Sequence, residues 1–243
     1  MLYVVATPIG NLEDITLRAL RILKEVELVV AEDTRYTQKL FNHFNINTRL
    51  TSFFEHKEES KLKPILAKLK TGANVALVSD AGTPSISDPG FRLVRAAIQE
   101  GIDVVPIPGP CAAITALQAS GLPTDHFFFV GFLPEKPGKR QKYLETLAAL
   151  PHTLILYLSP WKALKQLQEL TTLFGERTVC MGRELTKLHE EFWRGTLPQL
   201  TERLVAKPPK GEITLVIAGK EERESCFFLA RQEDAPCWKP SIT

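Results

Sequence analysis

Residues 75–90 read Val75-Ala76-Leu77-Val78-Ser79-Asp80-Ala81-Gly82-Thr83-Pro84-Ser85-Ile86-Ser87-Asp88-Pro89-Gly90, and this stretch decides the fold. Its first four residues form an apolar run bounded by turn residues, as in a strand buried on both faces. The polar loop that follows, residues 79–90, is long for a strand-to-helix connection, which ordinarily needs about 2–6 residues. Pro84 and Pro89 fix φ and remove N–H donors, while Gly82 and Gly90 let backbone approach a ligand closely. A rigid polar loop at the carboxyl end of a core strand is where open α/β sheets hold their ligands.

Outward from this loop the same style repeats. Leu2-Tyr3-Val4-Val5 is a first strand, and Ile15, Ala19, Ile22 and Val26 recur at helical spacing after it. Leu28-Val29-Val30-Ala31 is a second strand, followed by a helix marked by Tyr36, Leu40 and Phe44. Leu62, Ile65, Leu66 and Leu69 form another helical stripe, closed by Gly72. After the loop a helix is expected from about Pro89, with proline in its first turn and Gly101 as its stop; residues 103–107 are a fifth strand. The alternation predicts a mainly parallel sheet covered by helices. Gly121-Leu122-Pro123-Thr124-Asp125 breaks the pattern, which divides the chain into an N-terminal α/β domain, 1–120, and a C-terminal α/β domain, 121–243. In the second, strands are expected near 127–132, 154–157, 178–182, 190–195 and 213–218. The segment 192–195 reads as part of a hairpin, which predicts a mixed sheet. The tail after Gly219 loses periodicity and is expected to be peripheral or disordered.

Composition narrows the function classes. The chain has 243 residues, 44% of them hydrophobic and 24% charged, which suits globular domains with real cores. A formal net charge of +2 does not mark a general nucleic-acid binder, yet leaves room for a local basic patch. Cys111, Cys180, Cys226 and Cys237 are widely spaced and have no histidine at ligand spacing, so neither a metal site nor a disulfide framework is expected. No apolar run has the length of a membrane span, and the N-terminus lacks a secretory pattern. A reducing, cytoplasmic setting follows.

Several clusters sit where chemistry is expected. Thr7-Pro8-Ile9-Gly10-Asn11-Leu12-Glu13-Asp14 follows the first strand, with Asn11, Glu13 and Asp14 crowded at its carboxyl end; either Asp14 or Thr16 can cap the next helix. With one glycine instead of three it is not a dinucleotide fingerprint. Glu32-Asp33-Thr34-Arg35 follows the second strand and sets two carboxylates beside a guanidinium, an arrangement for a base or a hydroxyl-orienting pair. His56 follows a strand that ends at Phe53-Phe54 and is a further candidate for substrate contact. Ile107-Pro108-Gly109-Pro110-Cys111-Ala112-Ala113 starts a helix with small residues that leave room for a ligand against the backbone, or for close packing. Glu135-Lys136-Pro137-Gly138-Lys139-Arg140-Gln141-Lys142 is the concentrated basic loop, in which Lys139 and Arg140 could grip phosphates without reading sequence. Arg183-Glu184-Leu185-Thr186-Lys187 can reach the same cleft from the other domain.

Taken together, these motifs resemble the tetrapyrrole-methylase superfamily, methyltransferases that bind S-adenosylmethionine between two α/β domains. Residues 7–12, 31–35, 78–90, 108–113 and 183–187 resemble the ribosomal RNA small-subunit methyltransferase I family within it. The resemblance implies methyl transfer to the ribose 2′-oxygen of a cytidine in the decoding region, with small-subunit RNA or the assembled subunit as partner, and a homodimer. It puts cofactor contacts on Pro8, Asp80, Gly82, Thr83, Ser85, Ile86, Cys111, Ala112, Leu158, Leu185, Ile213 and Thr214. Where relatives read Tyr-Glu-Ser-Pro-His-Arg, this chain has Tyr157-Leu158-Ser159-Pro160-Trp161-Lys162.

Transfer from a sulfonium to oxygen is an in-line displacement that gains most from alignment, and the hydroxyl must lose a proton. Asp33 is expected to orient or deprotonate it, with Arg35 and Lys187 steadying phosphate or the developing oxyanion. Asn11, Asp14, His56, Lys139, Arg140 and Arg183 are the expected substrate contacts. Two other readings stay open: a same-fold methylase acting on a tetrapyrrole or other small acceptor, and a cofactor-binding RNA or ribosome-assembly protein without turnover.

Overall fold

The computed structural model of the chain describes residues 1–53 and 58–220. In order, its elements are β1 (Leu2–Val5), α1 (Leu17–Glu25), β2 (Leu28–Ala31), α2 (Thr34–His43), β3 (Leu50–Ser52), α3 (Glu58–Lys70), β4 (Val75–Val78), α4 (Phe91–Gln99), β5 (Val104–Ile107) and α5 (Ala112–Gln118). They continue with β6 (Phe127–Phe132), α6 (Pro137–Ala148), β7 (Thr153–Leu158), α7 (Ala163–Phe174), β8 (Thr178–Arg183), β9 (Glu191–Thr196), α8 (Leu197–Ala206) and β10 (Ile213–Ile217).

β1 to β5 form one sheet in the order β3-β2-β4-β1-β5, with every pairing parallel. Its two central apolar runs are buried throughout because both faces are covered. Period-two alternation divides them: Val29, Ala31, Ala76 and Val78 pack with Leu23 and Phe41 on one face. Val30, Val75 and Leu77 pack with Phe53, Leu69 and Leu93 on the other. The second sheet has the order β6-β7-β10-β8-β9 and is mixed, since β6 runs parallel to β7 while the other pairings are antiparallel. β8 and β9 form the expected hairpin.

Local chemistry sets the boundaries. Thr16, rather than Asp14, caps α1 by accepting from the Ala19 N–H at 3.0 Å. Asp33 caps α2 through the Arg35 N–H at 2.8 Å, and Thr196 with Gln199 forms a capping box on α8. α4 starts at Phe91, so Pro89 lies in the loop and not in the first turn. The cap is Gly90, at φ +124°, where a Cβ would meet Leu77 Cδ2 at 2.7 Å; only glycine meets both demands.

α5 lies before the expected domain boundary yet packs on the second sheet. Ala113, Ala116 and Leu117 join Ile155, Cys180 and Val216 in one buried cluster. The small residues at its start therefore serve close packing, while Cys111 and Ala112 beside them remain at the ligand edge. Among the described residues, no helix is long and apolar enough to cross a membrane. His56, Cys226, Cys237 and the segment after 220 lie outside the described residues.

Candidate active site

The carboxyl ends of β1, β4 and β5 are stapled into one platform. The Thr7 N–H donates to Gly82 O at 2.8 Å and the Gly82 N–H returns a bond to Thr7 O at 3.0 Å. Thr83 Oγ1 donates to Pro110 O at 3.0 Å, and Thr7 Oγ1 to Ser79 O at 3.3 Å. The second sheet closes on this platform at two points where a Cβ would not fit. At Gly131, at the bulge in β6 and at φ +68°, it would meet Ser87 Oγ at 2.7 Å. At Gly10 it would meet Lys187 Cγ at 2.4 Å and Leu185 O at 3.0 Å. Ser85, Ser87, Glu184 and Thr186 all adopt positive φ in these same loops. Such strain persists where surrounding structure over-determines it, and it concentrates at functional sites.

Between the two sheets lies a cleft of about 440 Å³. Nine of the expected cofactor contacts line it: Asp80, Gly82, Thr83, Ile86, Cys111, Ala112, Leu158, Ile213 and Thr214. Three do not. Leu185 is buried in the cluster with Ile9 and Val216; Ser85 turns its Oγ into a buried position without a hydrogen-bond partner; Pro8 precedes Ile9, which does line the cleft. Glu32, one of the two carboxylates expected beside Arg35, lines it too, as do Asp88, Phe132, Tyr157 and Glu212, which the sequence reading does not name as contacts. Asp88 lay within the loop that decided the fold, but its spacing alone carried no direction.

The cleft is acidic. Glu32, Asp80, Asp88 and Glu212 line it, with no lysine, arginine or histidine among the described lining residues. Burial pushes Asp88 up to about 6, aided by the nearby Asp80 charge and only partly offset by a hydrogen bond from Ser79. Glu32 is raised by burial and by Asp80 and Asp88. Asp80 is raised by burial although it accepts the Asp33 N–H at 2.8 Å. Among the described residues, no group of three or more histidine, cysteine or acidic side chains is arranged to hold a metal. Tyr157 is held well above the ordinary tyrosine value by burial, and stacks edge-on against Phe129 and Phe132.

Asp33 is placed differently from its expected role. Its carboxylate takes the Arg35 guanidinium, with Nε 3.0 Å from both oxygens, and that pairing holds it at about 2. A carboxylate so weakly basic is a poor proton acceptor. What Asp33 offers the cleft is its main chain, whose N–H fixes Asp80. Arg35 is itself 85% exposed and spent on Asp33.

Arg140 corrects a second expectation. It is 5% exposed. Its guanidinium bonds Glu169 Oε1 at 2.8 Å and the carbonyls of Pro134 and Glu135 at 3.0 and 2.8 Å. With its donors committed inside the protein it clasps α6 to α7 and does not face a substrate. Lys139, one residue earlier, is exposed. Lys187 bonds Glu184 and Glu212, each at 3.0 Å; burial opposes its charge, but the two carboxylates outweigh it and raise its pKa. Through Glu212 it reaches the cleft's edge. Arg183 is tied to Glu191 and to the carbonyls of His189 and Lys210. Asn11 caps the turn 12–14 by accepting from the Glu13 N–H, while Asp14 Oδ2 is buried without a partner.

The family model for Tetrapyrrole (Corrin/Porphyrin) Methylases matches residues 1–201. A solved structure with the same fold, TM-score 0.62 at 19% identity, is uroporphyrin-III C-methyltransferase from Thermus thermophilus complexed with S-adenosylhomocysteine. The alignment covers 88% of this chain and 96% of that one. Fold and cleft thus define a methylase of the tetrapyrrole-methylase class. Ribosomal RNA small subunit methyltransferase I of Halalkalibacterium halodurans is 51% identical over 222 residues, covering 91% of this chain and 77% of that protein. Its counterpart in Synechocystis is 51% identical over 228 residues, covering 93% and 82%. The chain belongs to the ribosomal RNA small subunit methyltransferase I family.

Proposed function

We propose that this protein transfers the methyl group of S-adenosylmethionine to the ribose 2′-oxygen of a cytidine in the decoding region of small-subunit ribosomal RNA. The observation that carries the reading is the pairing of family membership with an acidic cleft between the sheets. Ile9, Ile86, Leu158 and Ile213 offer apolar walls suited to an adenine, and the carboxylates favour a bound cation. When bound, the cofactor supplies an electrophilic methyl on a positively charged sulfur.

The protein's own work is to align and to move one proton. The stapled platform holds Gly82, Thr83 and Ala112 in place before any ligand arrives, which favours alignment over reorganisation. A ribose hydroxyl needs an acceptor inside the cleft. Asp88 is the best suited carboxylate: at about 6 it is mostly ionised at neutral pH yet far more basic than Asp33. Asp33 acts through its backbone, keeping Asp80 in the cleft. Lys187 holds Glu212 at the rim and is the cation closest in role to an oxyanion or phosphate partner. The family resemblance also supports a homodimer working in the cytoplasm.

The test incubates purified protein with methyl-labelled S-adenosylmethionine and undermethylated small subunits. Label in 2′-O-methylcytidine is the expected outcome. Label on a small acceptor, or binding without transfer, would replace this reading by another.

A further inference from the structure

The cleft that suits a cationic cofactor repels phosphate, so an RNA strand must be gripped outside it. The lip formed where β6 and β7 end has the chemistry for that. Phe132 and Tyr157 are register partners at these strand ends, with ring centroids 5.5 Å apart. Tyr157 is half-buried, while Phe132 is 60% exposed at the cleft wall. One turn further on, Trp161 is 95% exposed. An indole left wholly in water gives up the burial that tryptophan ordinarily gains, so its position asks for a partner.

Its backbone is not loose. The Lys162 N–H donates to Ser159 O at 2.9 Å, closing a turn with Pro160 and Trp161 at its centre. Lys162 Nζ reaches Glu135 Oε1 at 2.6 Å, and buried Ala163 starts α7 directly after. The buried Arg140 bonds the Pro134 and Glu135 carbonyls, so both sides of the lip are anchored. Exposed Lys136, at the N-cap of α6, Lys139 and Lys142 on α6, and Lys165 on α7 belong to the elements that follow β6 and β7. Rings carried on an anchored backbone, Phe132 at the cleft wall and Trp161 outside it, with lysines on the helices that follow, match single-stranded nucleic acid: bases stack on the rings and phosphates meet the cations.

We propose that Trp161, with Phe132 behind it, is a stacking ledge for an unpaired base next to the target nucleotide. This rests on the RNA-methylating reading above. The ledge positions the strand; it takes no part in bond-making.

The full chain, wild type and as Trp161→Ala and Trp161→Phe, would be compared in two assays. In the first, binding of a fluorescent single-stranded RNA is measured by anisotropy without cofactor, so the ledge is tested even if no methyl is transferred. Trp161→Ala should weaken it about 5- to 100-fold, the effect of losing one base–aromatic stack, while Trp161→Phe stays close to wild type. In the second, methylation of undermethylated subunits should show the same rise in KM, with kcat and cofactor affinity within about twofold. Unchanged RNA affinity in Trp161→Ala overturns the ledge, as does a loss that Phe does not restore. Loss of binding to phosphatidylserine vesicles with RNA affinity intact would assign the lip to a membrane surface instead. A wild type that binds RNA through Trp161 but transfers no label would leave the ledge standing and defeat the methyltransfer reading alone.

Discussion

Replacing Asp88 by asparagine separates the cost of the cleft from its use. Asp88 is raised from an ordinary 3.8 to about 6, chiefly by burial. A difference of that size corresponds to about 3 kcal/mol of disfavoured charge. Asp88 keeps part of its surface in water, and screening brings the figure to about 1–2 kcal/mol. The sign follows from linkage. The folded state binds the proton more tightly than the unfolded chain, so ionised Asp88 destabilises the fold above about pH 6, and the penalty vanishes as pH falls toward 4. Asparagine removes the charge and can still accept from Ser79. Thermal unfolding of Asp88→Asn should therefore lie about 2–8 °C above wild type at pH 8, and the difference should close as pH falls below about 4. The same variant should lose turnover about 100-fold or more, the usual contribution of a general base. Wild-type activity should fall as pH drops through about 6. A variant that melts lower than wild type at pH 8 would refute the strained-carboxylate argument, and one that keeps turnover within tenfold would refute the base assignment.

Asp33→Asn keeps the cap on α2 and the N–H to Asp80, so turnover should stay within about threefold with an unmoved pH profile; a large loss would return the base role to Asp33. Arg140→Ala leaves Glu169 half-buried without its partner and should destabilise by about 3–5 kcal/mol in a denaturant titration. The KM of its folded fraction for subunits should not change, which a phosphate-gripping arginine would not allow. Gly131→Ala forces both a positive φ and a 2.7 Å contact with Ser87; it should cost about 1–3 kcal/mol and weaken cofactor binding measured by calorimetry.

Most elements were legible because burial imposes periodicity. Leu2–Val5, Leu28–Ala31 and Phe127–Phe132 coincide with runs visible in the chain, and the hairpin of β8 and β9 follows from its short connection. The loop after β4 was legible as a ligand loop from its prolines, glycines and length. Direction within loops was not legible. Glu32 and Asp33 are neighbours, yet the first lines the cleft and the second pairs with Arg35, because the chain turns from strand to helix between them. Lys139 and Arg140 are neighbours too, and only the second meets Glu169, 29 residues away.

The sequence by itself determined the strand and helix order, the mixed character of the second sheet and the loops that gather at one edge. Each of these rests on contacts or preferences that recur at fixed spacing along the chain. Tertiary structure alone decided which carboxylates meet in the cleft, which cation is spent as a clasp and which aromatic ring is left in water. Those outcomes depend on groups 29 to 47 residues apart brought within hydrogen-bond distance, and on loop residues at positive φ whose side-chain directions no periodicity encodes.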